Sequence, residues 1–189
     1  SSIAKRNGAV AAINAGGFYD ANGTGTGRSP YGFIIHDGKF ILGQNVADSE
    51  VNEFVGLTDD GNLIAGNYSK GELISMDVKE GISFGPALIV NGERMITSGD
   101  GGWGVGPRTA IGQKKDGTVL FLVIDGRQPS YSIGATLRDV QNILYEEGAY
   151  IAANLDGGSS STLYMNGNVV NKPADLLGER MIPTAFIVK

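Results

Sequence analysis

Asp-Gly and Asn-Gly pairs stand between short apolar runs at five places, and this pattern constrains the fold more than any other feature of the chain. The pairs are Asp37-Gly38, Asp60-Gly61, Asn91-Gly92, Asp116-Gly117 and Asn166-Gly167. Residues of these types tolerate the positive φ that a tight type I′ turn requires, and such turns join the strands of β-hairpins. The sequence therefore predicts a hairpin-rich, largely antiparallel sheet system.

A helical pattern covers about residues 136–147. Thr136 can cap the helix N-terminus, Asp139 follows three residues later, and Gly148 can end the helix. The apolar residues between them recur at helical spacing, so one face of the helix is expected to pack on a sheet. A second, shorter helix is predicted over about residues 72–80.

Two continuous apolar runs, 119–124 and 150–153, flank the longer helix. Runs of this kind are typical of strands buried on both faces, and the strand–helix–strand order resembles a βαβ crossover. If the two strands are neighbours, Asp125 and Asp156 lie at one edge of the sheet. The overall prediction is a single α+β domain over residues 1–189.

Composition excludes several classes of site. The chain has no Cys and one His, which removes disulfides and thiolate catalysis and disfavours a His-rich metal centre or a Ser–His triad. Its net charge of −5 argues against a nucleic-acid partner. The apolar runs are far shorter than the roughly 20 residues of a membrane span, so we expect no membrane contact by this domain. Nothing in the sequence indicates an oligomeric state.

The segment 154–162 is the first candidate site. An apolar run leads to Asp156, which is followed by a Gly-Gly turn and four hydroxyl residues. Glycine N–H groups can converge into an anion-binding nest, and hydroxyls add donors. The candidate ligand-binding residues here are Asn154, Gly157, Gly158, Ser159, Ser160, Ser161 and Thr162. A plain Ser-rich hairpin loop, with Asp156 as a turn former, fits the pattern equally well.

A second candidate is Asp125, which follows the run 119–124. Two carboxylates at strand ends suit acid–base work because their environments can separate their pKa values, although two independent turn aspartates fit as well. Guanidinium groups suit bidentate capture of phosphate, and the candidates are Arg108, with Thr109 beside it, Arg127 and Arg180. Taken singly, each arginine is more often a surface ion pair.

A third candidate lies near the N-terminus, where an apolar run ends in Asn, then Gly-Gly, then two aromatic residues. The polar and glycine candidates are Asn14, Gly16 and Gly17, and the aromatic candidates are Phe18, Tyr19 and, from another segment, Trp103. Aromatic faces stack on the C–H surfaces of sugars, which favours a carbohydrate ligand. An ordinary contribution of Phe18 to the core is the alternative.

Six segments together resemble the phosphodiester glycosidase family, which includes N-acetylglucosamine-1-phosphodiester α-N-acetylglucosaminidase and many bacterial exported proteins. The segments are 12–20 (AINAGGFYD), 84–92 (FGPALIVNG), 108–112 (RTAIG), 123–127 (VIDGR), 154–162 (NLDGGSSST) and 178–180 (GER). Their order and spacing match the family over essentially the whole chain. Two departures are that Ser159 stands where the family usually has glycine, and that the family's domain begins with additional N-terminal strands, which this chain is predicted to lack.

The resemblance implies hydrolysis of the glycosidic bond of a sugar-1-phosphodiester, which gives free sugar and a phosphomonoester. It implies an extracellular or cell-surface protein. The absence of Cys and the glycine-rich hairpins are typical of a bacterial protein, for which a wall or capsular glycopolymer is the expected substrate. Asp156 and Asp125 would be the catalytic carboxylates with Glu179 in reserve, and Arg108 and Arg127 would hold the phosphate. The separation of the two carboxylates would distinguish a retaining from an inverting mechanism.

No cofactor is required by the sequence, although a divalent cation could bind at Asp125 and Asp156. Two other functions remain open. One is a non-catalytic module that binds carbohydrate or wall polymer in the same crevice, with Trp103 and Tyr19 carrying the affinity. The other is a serine esterase built on Ser160, which lacks a well-placed histidine.

Overall fold

The computed structural model describes residues 1–20 and 27–189. The helices are α1 Ser2–Arg6, α2 Lys70–Ser75 and α3 Leu137–Glu146. The strands are β1 Ala11–Asn14, β2 Ile34–His36, β3 Lys39–Leu42, β4 Val51–Thr58, β5 Leu63–Ser69, β6 Val78–Ile82, β7 Ala87–Val90, β8 Glu93–Arg94, β9 Arg108–Lys114, β10 Val119–Ile124, β11 Ala149–Leu155, β12 Leu163–Met165, β13 Asn168–Val169 and β14 Ala185–Val188. They form three antiparallel sheets with the orders β13-β12-β1-β14, β10-β9-β11-β7-β8 and β3-β2-β6-β4-β5. This arrangement confirms the predicted α+β class.

Each of the five Asp-Gly or Asn-Gly pairs joins two adjacent antiparallel strands. At Asp37-Gly38, Asn91-Gly92 and Asn166-Gly167 both residues have positive φ, as a two-residue hairpin turn requires. Asp60-Gly61 and Asp116-Gly117 lie in longer loops, where only the glycine has positive φ, at 75° and 88°. The turn signal therefore located all five hairpins, and the length of each loop determined its geometry.

The largest core cluster draws side chains from all three sheets, including Ile13, Val55, Ile111 and Leu155, which are at most 1% exposed. Burial of such side chains is the main stabilising contribution to folding. Helix α3 closes a second cluster against the sheet that contains β9 and β11. Its capping box between Thr136 and Asp139 is formed as the sequence predicts.

The burial predicted for residues 119–124 is wrong. They form β10, the edge strand of its sheet, and its residues are half-buried or exposed. The strand that is buried along nearly its whole length is β9, beside it in the sheet. Its sequence, RTAIGQK, mixes polar and apolar residues, so it gave no hydrophobic signal. Gln113 is tolerated there because its amide bonds Leu63 N–H and the Gly61 carbonyl.

The second helix is displaced from its predicted range of 72–80. Helix α2 covers Lys70–Ser75, and the following residues turn at Asp77, where φ is 49°, into strand β6. Gly81 lies inside β6 rather than ending a helix, and a Cβ there would stand 2.3 Å from the ring of Phe54. The glycine therefore permits close packing between β6 and β4.

Strands β10 and β11 are parallel to each other, because each pairs antiparallel with β9. The strand–helix–strand unit is thus present, but the two strands are not neighbours, since β9 lies between them. The C-terminal ends of β10 and β11 still lie at the same end of the sheet, on either side of the start of β9. This edge carries both aspartates that the sequence singled out.

Candidate active site

Arg108 begins β9 between the ends of β10 and β11. It pairs with Ile124, the last residue of β10, and the next residue of β9 pairs with the last residue of β11. Asp125 and Asp156, the residues that follow these two strands, therefore leave the sheet on either side of the start of β9. The structure brings together the two carboxylates and the arginine that the sequence placed in one site.

Asp156 is the carboxyl group whose acidity the fold changes most clearly. Its N–H donates to the carbonyl of Ala15 at 2.9 Å, and its own carbonyl accepts from Asn14 Nδ2, so its backbone is fixed. Burial raises the pKa of Asp156 from 3.8 to about 6, against the opposing effect of the Ser160 hydroxyl and the Gly157 N–H. A carboxyl with this pKa can be protonated near neutral pH and can donate its proton to a leaving group.

The raised pKa predicts a pH-dependent stability cost at Asp156. The folded state binds the Asp156 proton more tightly than the unfolded chain does. Protonation of Asp156 therefore stabilises the fold fully below about pH 4, and this stabilisation is lost as pH rises through about 6. We expect Asp156→Asn to gain about 2–3 kcal/mol of unfolding free energy relative to wild type between those limits. Urea denaturation of both proteins at each pH would measure this, and a pH-independent difference would contradict it.

Asn14 and Thr109 form a buried network behind Asp156. Asn14 Oδ1 accepts hydrogen bonds from the Thr109 hydroxyl at 2.8 Å and from the Thr162 N–H at 3.0 Å. The Asn14 side chain thus joins the end of β1 to β9 and to the segment after Asp156. These contacts give Asn14 and Thr109 a positioning role through bonds made within the protein.

The anion nest predicted for residues 157–162 is not formed by their backbone. Gly158 N–H donates to the Pro107 carbonyl at 2.9 Å, and the N–H groups of Ser160 and Ser161 close a 3₁₀ turn onto Gly157 and Gly158. These three N–H groups, and that of Thr162, which donates to Asn14 Oδ1, are thus engaged within the protein and do not converge on a ligand. The Ser161 hydroxyl is buried and has no hydrogen-bond partner in residues 1–20 and 27–189.

Arg108 does not present its guanidinium to solvent as the sequence suggested. The residue is 5% exposed, and its side chain donates to the carbonyls of Ala135 at 3.0 Å, Trp103 at 3.1 Å and Gly104. Burial lowers the pKa of Arg108, and the neighbouring Arg127 charge adds to that effect. Arg108 therefore ties two loops to the start of β9.

Arg127 is the exposed cation of this sheet edge. Its φ is 58°, and this backbone turns the side chain over Gly158, where a Cβ would lie 3.3 Å from both Nη atoms. Its hydrogen bond to the Ser159 hydroxyl, at 3.5 Å, is long. Its guanidinium is therefore the more accessible of the two for a phosphate, beside the turn that follows Asp156.

Asp125 is held by a ring of donors. Its carboxylate accepts from the Tyr131 hydroxyl at 3.2 Å, from Asn171 Nδ2 at 2.9 Å and from the Lys172 N–H at 2.9 Å. These bonds join the loop after β10 to the segment after β13. A carboxylate engaged in this way is suited to organising loops, so the pairing of Asp125 with Asp156 as two free catalytic groups is not supported by these contacts.

Within the described ranges, no group of three or more His, Asp or Glu side chains converges as a cation site. The donors around Asp125 already occupy oxygens that a cation would need. A divalent cation at Asp125 and Asp156 stays a prediction, which loss of activity with a chelator and recovery with added metal would test.

Glu179 and Arg180 lie on a different cavity. Arg180 forms an ion pair with Asp20, and Glu179 pairs with the amino group of Ser1. The cavity they line has a volume of about 370 Å³ and reaches Asn14 at its inner end. Arg180 therefore lines the same cavity as Asn14, which bonds the Asp156 carbonyl, while Glu179 is paired with the N-terminus.

The aromatic candidates occupy three different settings. The Arg180 guanidinium carbon lies 5.6 Å from the centroid of the Phe18 ring. The rings of Trp103 and Phe84 pack edge-on, with 6.0 Å between their centroids. Tyr19 is 71% exposed. Sugar stacking by these rings stays a prediction. Trp103 is the one whose backbone is held by Arg108.

Sequence reasoning missed Tyr31 as a residue of this site. Its hydroxyl stands against Gly17, where a Cβ would be 2.0 Å away, and so requires glycine at that position. Burial raises the pKa of Tyr31, and the negative charges of Asp156 and Glu53 raise it further. The Gly-Gly pair at 16–17 was the available signal, since it marked a place where something approaches the backbone closely.

Comparison with known proteins decides the family. The family model for phosphodiester glycosidase matches residues 7–189. The chain belongs to the phosphodiester glycosidase family. This confirms the resemblance drawn from the six sequence segments. The sheet edge that carries Asp125 and Asp156 is therefore part of a domain of the phosphodiester glycosidase family.

Two curated relatives cover nearly the whole chain. The SPbeta prophage-derived uncharacterized protein YomE of Bacillus subtilis (strain 168) is 32% identical over 193 residues, covering 98% of this chain and 29% of that protein. The bovine N-acetylglucosamine-1-phosphodiester alpha-N-acetylglucosaminidase is 25% identical over 198 residues, covering 94% of this chain and 35% of that protein. The chain thus spans about a third of the length of these two relatives.

Solved structures agree with the family. The zebrafish N-acetylglucosamine-1-phosphodiester alpha-N-acetylglucosaminidase catalytic domain, auto-inhibited by its pro-peptide, aligns with a TM-score of 0.75 at 25% identity, covering 98% of this chain and 65% of that one. A candidate exported protein of Burkholderia pseudomallei K96243 shares the fold with a TM-score of 0.65 at 15% identity, covering 99% and 67%. In the part of this chain that the structure describes, the helices are too short or too polar to cross a membrane.

Proposed function

We propose that this protein hydrolyses the glycosidic bond of a sugar-1-phosphodiester. The supporting observation is the environment of Asp156, a buried carboxyl whose pKa lies at about 6, with the exposed guanidinium of Arg127 over Gly158, two residues further along the chain. Membership of the phosphodiester glycosidase family supports the reaction type. A proton donor and a cation both assist the departure of a phosphate from a sugar carbon, since each reduces the negative charge that the leaving oxygen must carry.

The reaction follows from these two groups. Water attacks the anomeric carbon, and the bond from that carbon to the phosphate oxygen breaks, with its electron pair leaving on the phosphate. The Asp156 carboxyl gives its proton to the departing oxygen, and Arg127 stabilises the phosphate charge that develops. The products are the free sugar and a phosphomonoester, and a proton from the attacking water restores the balance.

We propose a phosphodiester-linked glycopolymer of the cell surface, wall or capsule as the natural substrate. The exposed aromatic residues Trp103 and Tyr19 offer stacking surfaces for sugar rings. The exposed side chains of Arg127 and Lys172 give the site local cations despite the net charge of −5. Such a polymer would place the protein outside the cell.

Aryl phosphodiesters of several sugar 1-phosphates would test the reaction directly. We expect release of reducing sugar and of the aryl phosphomonoester in equal amounts. Release of the aryl alcohol instead would mean attack at phosphorus and would overturn the proposal. Binding of these compounds without turnover would favour the non-catalytic carbohydrate-binding module.

Arg127→Gln tests the assigned phosphate contact. Because the phosphate gains charge as it leaves, we expect kcat to fall by roughly 100-fold, with a smaller rise in KM. Arg94→Gln is the matched control, because Arg94 lies on β8 at the opposite edge of the same sheet. Equal kinetics of the two variants would show that Arg127 does not serve the phosphate.

A further inference from the structure

Glu53 is an exposed carboxylate that belongs to none of the motifs identified in the sequence. It lies on β4, and its side chain packs against Gly85, where a Cβ would stand 2.7 Å from the carboxylate. Across the described residues it forms no hydrogen bond or ion pair. Nothing in the fold therefore engages its oxygens as the donors around Asp125 engage theirs.

The Tyr31 hydroxyl connects Glu53 to Asp156. The negative charges of Asp156 and Glu53 both raise the pKa of this hydroxyl, so both carboxylates act on it electrostatically. The hydroxyl itself is fixed in space by its contact with Gly17. Glu53 packs against Gly85, and Asn154, two residues before Asp156, bonds the Gly85 carbonyl, so the fold brings Glu53 and Asp156 to one region although 103 positions separate them in the sequence.

Asn154 supplies an independent sign of a ligand at this place. Its side chain is fully buried, and its Nδ2 donates to the Gly85 carbonyl at 2.8 Å. Gly85 is also the residue against which Glu53 packs. Its Oδ1 is buried and has no hydrogen-bond partner in the part of the chain that the structure describes. A buried acceptor without a donor is costly, so an external N–H or O–H group is expected there.

We propose that Glu53 is the second catalytic carboxylate of the site and accepts the proton of the attacking water. This rests on the proposed glycosidase function. The exposed, unpartnered oxygens of Glu53 can receive a water molecule, whereas Asp156 is buried as a proton donor requires. Two carboxyl groups in contrasting environments are the usual arrangement for a base and an acid in glycoside hydrolysis.

The step balances with these two groups. As the water oxygen bonds to the anomeric carbon, one of its protons moves to the Glu53 carboxylate. The bond between that carbon and the phosphate oxygen breaks, and the phosphate oxygen takes the electron pair together with the Asp156 proton. Afterwards Glu53 returns its proton through solvent to Asp156, and neither an oxidant nor a metal is consumed.

Glu53→Gln tests this role with an aryl sugar-1-phosphodiester as the probe. We expect kcat to fall by roughly 100- to 1,000-fold, since the amide cannot accept the water proton. Glu93→Gln, an exposed glutamate of β8, is the matched control and should keep wild-type kinetics. Thermal unfolding of both variants checks that the fold is intact.

Azide distinguishes a catalytic base from a structural contact. Azide needs no deprotonation, so it should raise the rate of Glu53→Gln by about tenfold or more and yield a glycosyl azide, which mass spectrometry identifies. Wild type should not be stimulated. Suppose that wild type turns over the probe. If the kcat of Glu53→Gln then equals that of Glu93→Gln, or if azide does not raise the rate of a slow Glu53→Gln, the role of Glu53 is wrong while the proposed function stands. If wild type turns over no sugar-1-phosphodiester, both proposals fail.

Discussion

Asp156→Asn is expected to lower kcat for a sugar-1-phosphodiester by about 1,000-fold, because asparagine cannot donate the proton that the leaving oxygen takes. The pH profile should change in the same experiment. Since the acid form is active, the wild-type kcat falls as pH rises through about 6, and that decline should disappear in the variant. Steady-state kinetics between about pH 5 and pH 8 would measure both effects.

Asp60→Asn is the matched control for this experiment, because Asp60 is exposed in the hairpin loop between β4 and β5. It should retain wild-type activity. The combination of reduced activity and increased stability above about pH 6 in Asp156→Asn would be the signature of a functional group held at a cost to the fold. An Asp156→Asn protein with wild-type turnover would remove the acid from the mechanism.

Asn14→Ala is expected to have the largest effect on stability. The substitution leaves the Thr109 hydroxyl, the Thr162 N–H and the Asp156 carbonyl without the partner that each has in the network. Buried groups left unsatisfied in this way lower the free energy of unfolding by about 2–4 kcal/mol. Urea denaturation measures the loss.

Asn168→Ala provides the comparison for Asn14→Ala. Asn168 is exposed in a hairpin, and its side chain makes one long hydrogen bond of 3.4 Å to the Asn166 carbonyl. Its removal should change the free energy of unfolding by at most about 0.5 kcal/mol. If Asn14→Ala cost no more than that, the buried network would not be what holds β1, β9 and the segment after Asp156 together.

Local sequence chemistry predicted those elements whose determinants lie within a few residues of each other. Asn166-Gly167 specifies its turn through two residues that accept positive φ, and Thr136 with Asp139 specifies the start of α3 through a reciprocal cap. The burial of strand β9 escaped prediction because it depends on the position of the strand in the sheet. Gln113 and Thr109 are tolerated inside the sheet only because distant residues bond them.

The same limitation applies to the candidate site. Arg108 has the residue type of a phosphate ligand, but its hydrogen-bond partners are carbonyls from two loops, up to 27 residues away. Asp125 likewise meets donors 46 and 47 positions further along the chain. Glu53 carries no motif, and only the folded arrangement around Gly85 brings it to the site. Residue type indicated the chemistry, and long-range contacts determined which residue is available to perform it.

Arg108 has a consequence for the diversity of this family. Its guanidinium bonds the loop at 99–107 and the loop at 128–135 at once, and the two loops also touch where Gly134 lies against Gly106. Neither loop can change length or course alone without breaking bonds to a buried cation. We therefore expect the two loops to vary together. A chimera in which both loops come from one related protein should fold, whereas replacement of one loop alone should destabilise the domain.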